Sequence, residues 1–155
     1  MNEEEIGKII LDSAFKVHTV LGCGLLESVY EAALAMEIAK YGLNVERQKA
    51  IPVMYEGQLL DAAFRADLII NRIVLVELKS VDTVTPLFKK TVLNYLKLIP
   101  LRLGFLINFN ETHLKNGITR ITNGLEGKDF FNKAADISKV NLINPSLSSR
   151  SSRDY

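Results

Sequence analysis

The chain has 155 residues, 48% of them hydrophobic and 24% charged, with a formal net charge of +1. These values describe one globular domain that buries roughly two-thirds of its unfolded surface, and they exclude global disorder and any global pull toward nucleic acid or anionic membrane. The charge is uneven, however: residues 1–46 hold eight acids and three bases, whereas residues 47–155 hold ten acids and sixteen bases, a distribution compatible with a basic face and a polyanionic partner.

The amino terminus, Met-Asn-Glu-Glu-Glu, has the opposite charge from a signal-peptide n-region, and no apolar run approaches the length of a membrane span, so a soluble cytoplasmic protein is the expectation. Apolar residues Ile6, Ile9, Ile10, Ala14, Val17, Val20 and Leu21 recur at helical spacing, with acids at the amino end where the helix dipole favours them. Gly22-Cys23-Gly24 stops that helix and starts a second, which runs to about 41–42 with Leu26, Val29, Tyr30, Ala33, Leu34 and Ile38 on its apolar side. Cys23 is the sole cysteine, which excludes an internal disulfide and a cysteine-built zinc site.

From residue 45 the period shifts toward two. Strands are expected over 45–55, 58–64, 65–70 and 73–79, with Glu56-Gly57 and Asn71-Arg72 as turns and Pro52 marking an edge or a bulge. Thr85-Pro86 reads as a cap and first helical position, opening a helix that buries Phe88, Val92, Tyr95, Leu96 and Ile99 before Pro100 ends it. Residues 103–109 form a short aliphatic strand fit for the middle of a sheet. A further strand near 118–121 and a short helix near 129–138 complete a domain over 1–143, and the Ser- and Arg-rich residues 144–155 read as a flexible tail. Helices, a meander and a helix crossing back to another strand give a mixed α/β or α+β fold, a central sheet with helices against it.

Within this pattern, Ile73-Val-Leu-Val-Glu-Leu-Lys79 is a buried-type strand that turns ionic at its end. Burying Glu77 or Lys79 unpaired costs about several kcal/mol, so the strand surfaces there or the charges have a task. A two-residue turn at Asn71-Arg72 sets Asp67 opposite Val76, facing away from Glu77. A three-residue loop or bulge sets Asp67 opposite Glu77 instead. The second register collects Leu68, Ile70, Val74, Val76 and Leu78 on one wholly apolar face and Asp67, Glu77 and Lys79 on the other, and it is the cheaper arrangement. Two carboxylates one cross-strand spacing apart repel, and an oxygen-preferring divalent cation, Mg²⁺ or Mn²⁺, relieves that repulsion. Such an ion polarises a phosphoryl oxygen and activates a water, while a lysine about 6–7 Å along the strand orients the water or offsets transition-state charge.

The blocks GLLESVYEAAL, RADLIINRIVLVELKS, VLNYLK and GFLINF resemble, in order and spacing over about residues 6–110, the GxxExxxxR proteins of the PD-(D/E)XK nuclease-like superfamily. The resemblance implies a restriction-endonuclease-like α-β-β-β-α-β core. It also implies metal on Asp67, Glu77 and the Leu78 backbone carbonyl, Lys79 beside the nucleophilic water, and helical Glu27 as a further acid of the site. Three positions depart from the pattern: Ala66 stands before Asp67, Ala32 stands where the label has arginine, and Thr91 opens the Thr91-Val-Leu-Asn-Tyr95 stretch where the exonuclease-like branch often has glutamine.

Each residue also has a plain structural reading. Asp67, Glu77 and Lys79 suit a charged strand end with Lys79 in a salt bridge. Glu27 suits the third helical position of a capping box if Gly24 is the N-cap. Gln48, Arg65, Thr91 and Tyr95 are candidate substrate contacts, Lys49 a candidate phosphate contact; a solvated strand for Gln48, surface charge for Arg65 and Lys49, and core packing for Tyr95 are the simpler readings. His18 and His113 lack a partner at metal-ligand spacing, Asn108 suits a strand end, and Cys23 is a turn residue with no base nearby in sequence. Two functions from different classes follow: a Mg²⁺- or Mn²⁺-dependent nuclease acting on DNA or RNA, or a nuclease-fold module that binds nucleic acid or a protein partner without cutting it. A homodimer or a purely structural protein is the weaker third.

Overall fold

The computed structural model describes residues 1–124. Helix α1 (Glu3–Leu21) starts at a closed capping box, in which Asn2 Oδ1 accepts the Glu5 N–H and Glu5 Oε2 accepts the Asn2 N–H, both at 2.9 Å. Gly22, at φ 71°, ends it by giving its N–H to the His18 carbonyl at 2.8 Å. The loop to helix α2 (Glu27–Ala39) is held by the buried Tyr30, whose hydroxyl donates to the Gly22 carbonyl at 2.7 Å and accepts the Leu25 N–H at 3.1 Å. The N-cap of α2 is Leu26, not Gly24. Glu27 is therefore the first helical residue, and the capping-box reading of it falls.

Strands β1 (Val45–Tyr55), β2 (Gln58–Ile70), β3 (Val74–Lys79), β4 (Leu103–Asn108) and β5 (Ile118–Thr122) form one sheet in the order β1-β2-β3-β4-β5. All neighbours are antiparallel except β3 and β4, which helix α3 (Pro86–Leu98) connects as a parallel pair. The two strands expected over 58–64 and 65–70 are one strand of 13 residues. No glycine, proline or turn residue separates Phe64 from Ala66, and β1 pairs along both halves. Pro52 sits on the edge strand, at a shift of register between Pro52 and Met54. A short 3₁₀ turn, Leu114–Gly117, which the sequence pattern did not signal, leads into β5.

The β2–β3 hairpin takes the longer of the two loops weighed. Ile70 pairs with Val74 and Leu68 with Val76, so Asn71, Arg72 and Ile73 form the loop, with Asn71 at φ 51° and Arg72 at φ 57°. The sheet then sorts its side chains as the pattern demands. Leu68, Ile70, Val74, Val76 and Leu78 pack under α1 and α2 with Ile6, Ile10, Tyr30 and Leu34. Ile69 and Leu75 pack on the opposite face with Val92 and Leu96 of α3. Each fully buried Leu or Ile contributes about 1.5–3 kcal/mol, and these two layers fix β3 and β4, buried along almost their full length, as the rigid centre of the fold. The helix expected near 129–138 and the tail over 144–155 lie outside the described residues. Among the described residues no helix is long and apolar enough to cross a membrane.

Candidate active site

Beyond Leu68 and Val76 the β2–β3 ladder gives way to side chains. The Asp67 N–H donates to Glu77 Oε1 at 2.9 Å, and the Leu78 N–H donates to Asp67 Oδ2 at 2.9 Å, so each carboxylate stands where a strand carbonyl would otherwise accept. The two acids therefore share the end of one hairpin. Glu77 is only 8% exposed. Its burial, and next the charge of Asp67, push its carboxyl up to about 8, against the weaker pull of the Asp67 N–H and of the Lys79 ammonium. Lys79 Nζ lies 4.6 Å from the centre of the Phe88 ring and makes no salt bridge among the described residues, so its charge is held by an aromatic face rather than neutralised. Tyr95 faces the same acids from α3: burial first, then Glu77 and Asp67, raise its phenol above the ordinary range, and its ring stacks on Phe64 with centroids 3.8 Å apart.

A third acid joins them from α2. Glu31 is 7% exposed. Its Oε2 accepts Arg47 Nη2 at 2.9 Å and Nε at 3.2 Å, and its Oε1 accepts Gln48 Nε2 at 2.5 Å. The same Gln48 amide nitrogen donates to Asp67 Oδ1 at 3.2 Å, linking Glu31 to the hairpin acids. Sequence reasoning placed the helical acid at Glu27, which lies one turn earlier on α2, exposed, with Glu31 the acid that the hydrogen bonds tie to Asp67. A signal for Glu31 was present. Glu31, Leu34, Ala35 and Ile38 fall at i, i+3, i+4 and i+7, the core stripe of α2, so an acid there is a buried acid that needs partners.

The remaining candidates separate. The Thr91 hydroxyl donates to the Leu87 carbonyl of its own helix at 2.9 Å, so it is spent on α3 rather than aimed at the acids. Lys49 pairs with Glu46 at 3.0 Å. Arg65 lies opposite Ala50 on β2, two residues before Asp67. Cys23 is exposed, and the ring of His18 meets the Glu111 carbonyl at 2.7 Å. His18 and His113 line a shallow cleft of about 470 Å³ between α1 and residues 112–116, which contains none of the candidate catalytic residues. Asn108 is more than a strand end. Fully buried, it donates to the Val81 carbonyl at 2.8 Å and accepts the Val81 and Asn110 N–H groups at 3.1 and 3.2 Å. It thereby fastens the chain leaving β3, just after Lys79, to the chain leaving β4. Ser80 adds a hydrogen bond of 2.6 Å to the Leu25 carbonyl, closing the α1–α2 loop over the same end of the sheet.

The donor set suits a hard divalent cation. Its atoms are carboxylate oxygens, and burial first, then the charge of Asp67, make an ionised Glu77 costly, a cost that such an ion lowers. Among the described residues no three His, Cys, Asp or Glu side chains form a metal-binding cluster.

A mixed five-stranded sheet between helices, with paired acids where its central hairpin opens, is the architecture of the restriction-endonuclease-like domains. A family model described as the PD-(D/E)XK nuclease superfamily matches residues 4–121, and the chain belongs to that superfamily. Nucleases of this superfamily generally use divalent metal ions and act on nucleic acid. The narrower GxxExxxxR likeness rests on the motif residues alone. Comparison with curated proteins and comparison with solved structures each gave no match.

Proposed function

We propose that the protein is a metal-dependent nuclease that hydrolyses phosphodiester bonds of nucleic acid, with Asp67, Glu77 and the Leu78 carbonyl as ligands of Mg²⁺ or Mn²⁺. When bound, the ion supplies Lewis-acid polarisation of the scissile phosphate and a more acidic water. The chain's own residues do the rest. Asp67 and Glu77 present oxygens from adjacent strands whose spacing the hydrophobic core fixes. Lys79, its charge unneutralised against Phe88, orients the water or offsets charge on the phosphorane-like transition state. Glu31 takes the part of the helical acid that the motif resemblance gives to Glu27, and its Gln48 link brings it to Asp67. The observation that carries the reading is the bonding of the two carboxyl groups across the hairpin, each to a backbone N–H beside the other, because it keeps two acids together, Glu77 buried, where a salt bridge or apolar pair would be cheaper.

The Thr91 hydroxyl, turned back onto Leu87, supports the second reading, a nuclease-fold module that binds without cutting, since the polar group standing where the exonuclease-like branch often has glutamine is short and already bonded to its own helix. One comparison separates the two. Wild type and Glu77→Gln are incubated with single- and double-stranded DNA and RNA in Mn²⁺, Mg²⁺ or chelator. Cleavage that needs metal and vanishes in Glu77→Gln is the expected outcome. Metal-dependent cleavage that survives the substitution sinks the site assignment, and salt-sensitive binding without cleavage supports the module.

A further inference from the structure

Successive side chains of a strand point to opposite faces, yet Arg47 and Gln48, neighbours on β1, both hold the carboxylate of Glu31. The backbone explains how. Gln48 has φ 49°, in the left-handed region that a residue with a side chain enters only at a cost. The other non-glycine residues with positive φ among those described, Glu56, Asn71 and Arg72, lie between strands, where turns call for it; Gln48 alone lies within one. The ladder runs through Arg47↔Leu68 and Lys49↔Ala66 on either side and skips Gln48, which stands across from Asp67.

We propose that Gln48 is a positioning residue for the Asp67 carboxylate, the chain accepting strain at residue 48 to aim one carboxamide at two acids; this rests on the nuclease reading of the site. A glutamine amide nitrogen has two N–H donors. Gln48 gives one to Glu31 Oε1 at 2.5 Å and the other to Asp67 Oδ1 at 3.2 Å. The second Asp67 oxygen is held from the other side by the Leu78 N–H at 2.9 Å. Both oxygens of Asp67 are thereby fixed, one from β1 and one from β3, and the carboxyl torsion, otherwise broad, has a single setting. Anchoring Glu31 with the same group fixes the distance between the helical acid and the hairpin. An exposed strand glutamine with no task would keep an ordinary extended φ and join the ladder. Arg47, by contrast, keeps its ladder position and reaches only Glu31.

Two substitutions separate the amide from the backbone. Gln48→Gly removes the carboxamide and suits the positive φ, whereas Gln48→Ala removes the carboxamide and keeps the strain. Thermal unfolding in chelator and calorimetric titration with Mn²⁺ are measured on wild type, both variants and Asp67→Asn. Gln48→Gly is expected to unfold no lower than wild type while binding Mn²⁺ about tenfold or more weakly, the scale on which orienting partners of ligands act. Gln48→Ala is expected to bind as weakly as the glycine variant and to unfold at a lower temperature. The proposal is overturned if Gln48→Gly binds Mn²⁺ like wild type, which makes residue 48 irrelevant to Asp67. It is overturned also if Gln48→Gly loses unfolding temperature, which makes the amide a structural cross-link. If wild type binds no Mn²⁺ and behaves as Asp67→Asn does, the nuclease reading falls and takes the positioning role with it, a result unlike either of the other two.

Discussion

Between pH 4.5 and about 8 the folded protein keeps a proton on Glu77 that the unfolded chain has released. A carboxyl raised in the folded state contributes no penalty below 4.5, where both states are protonated. The penalty grows as pH rises through that window and is complete above about 8. Metal-free protein is thus expected to lose stability, on the order of a few kcal/mol, as pH rises from 5 to 8, with Glu77→Gln flattening the loss and a saturating divalent ion opposing it. Denaturant titration in chelator at several pH values measures it, and a wild-type curve no steeper than that of Glu77→Gln would count against the buried, unrelieved pair. Glu77 was legible in the sequence because it interrupts an apolar run, and Asp67 because the choice of hairpin register brings the two together. Glu31 was passed over although its spacing marked it, and Gln48 was named only as a candidate substrate contact, not as a link between two acids. A 3.6 period marks Glu31 as inward-facing, but nothing in Glu-Arg-Gln-Lys announces left-handed backbone at its third residue, a state that only the surrounding contacts impose.

Among the elements, the segment following β4 bears most on the site after the hairpin itself. Asn108 clamps Val81, and the 3₁₀ turn over Leu114–Gly117 returns against it so closely that a Cβ on Gly117 meets the Asn108 carbonyl oxygen at 2.3 Å and Glu111 Cγ at 2.9 Å. A backbone oxygen cannot yield as a side-chain tip does. Gly117→Ala is therefore expected to destabilise by about 1–3 kcal/mol, and to lower activity beyond its effect on folding because the end of β4 must shift. Gly104→Ala is the control: the nearest atoms to its Cβ are the terminal methyls of Leu96 and a methyl of Val92, at 3.2–3.3 Å, which yield more readily, so its cost is expected to be smaller and activity at a temperature where it is folded to stay near wild type. Equal losses in thermal unfolding and activity for the two variants would remove the special place given to this turn. The sequence showed the long elements because their periodicity runs for whole turns and strands. It did not show a four-residue turn whose existence depends on a single missing Cβ, and it divided β2 in two because alternating burial along Ala62, Ala63, Phe64 and Arg65 is too weak to read as one strand.

At the scale of the molecule, and among the described residues, several bases of the basic remainder are tied in ion pairs to acids of the acidic first third. Arg102 pairs with Glu3 at 2.5 Å and Arg120 with Glu4, so two bases from late in the chain are matched to acids of α1, while Arg47 on β1 pairs with Glu31 of α2 at 2.9 Å. On α1, Lys8 pairs with Asp12 and Lys16 with Glu37. Helix α3 differs. Its span, Pro-Leu-Phe-Lys-Lys-Thr-Val-Leu-Asn-Tyr-Leu-Lys-Leu, has no acid, its exposed Lys89, Lys90 and Lys97 make no salt bridge among the described residues, and its Phe88 and Tyr95 face Lys79 and the two acids. Charge count alone gave the excess of bases but not which of them folding leaves without a counter-charge, since that depends on pairs a hundred residues apart in sequence. Under the proposed nuclease reading the substrate is a polyanion, and any α3 lysine that neutralises a phosphate releases a counterion. In the cleavage-deficient Glu77→Gln background, Lys89→Ala combined with Lys90→Ala is expected to weaken duplex DNA binding and to reduce the slope of log affinity against log salt by about 0.9 for each phosphate no longer neutralised. Lys8→Ala combined with Lys16→Ala removes the same charge from already neutralised positions and is expected to leave that slope unchanged. Fluorescence anisotropy across a salt series measures both, and an identical change in slope for the two pairs would mean that total charge, not the face beside the paired acids, governs binding.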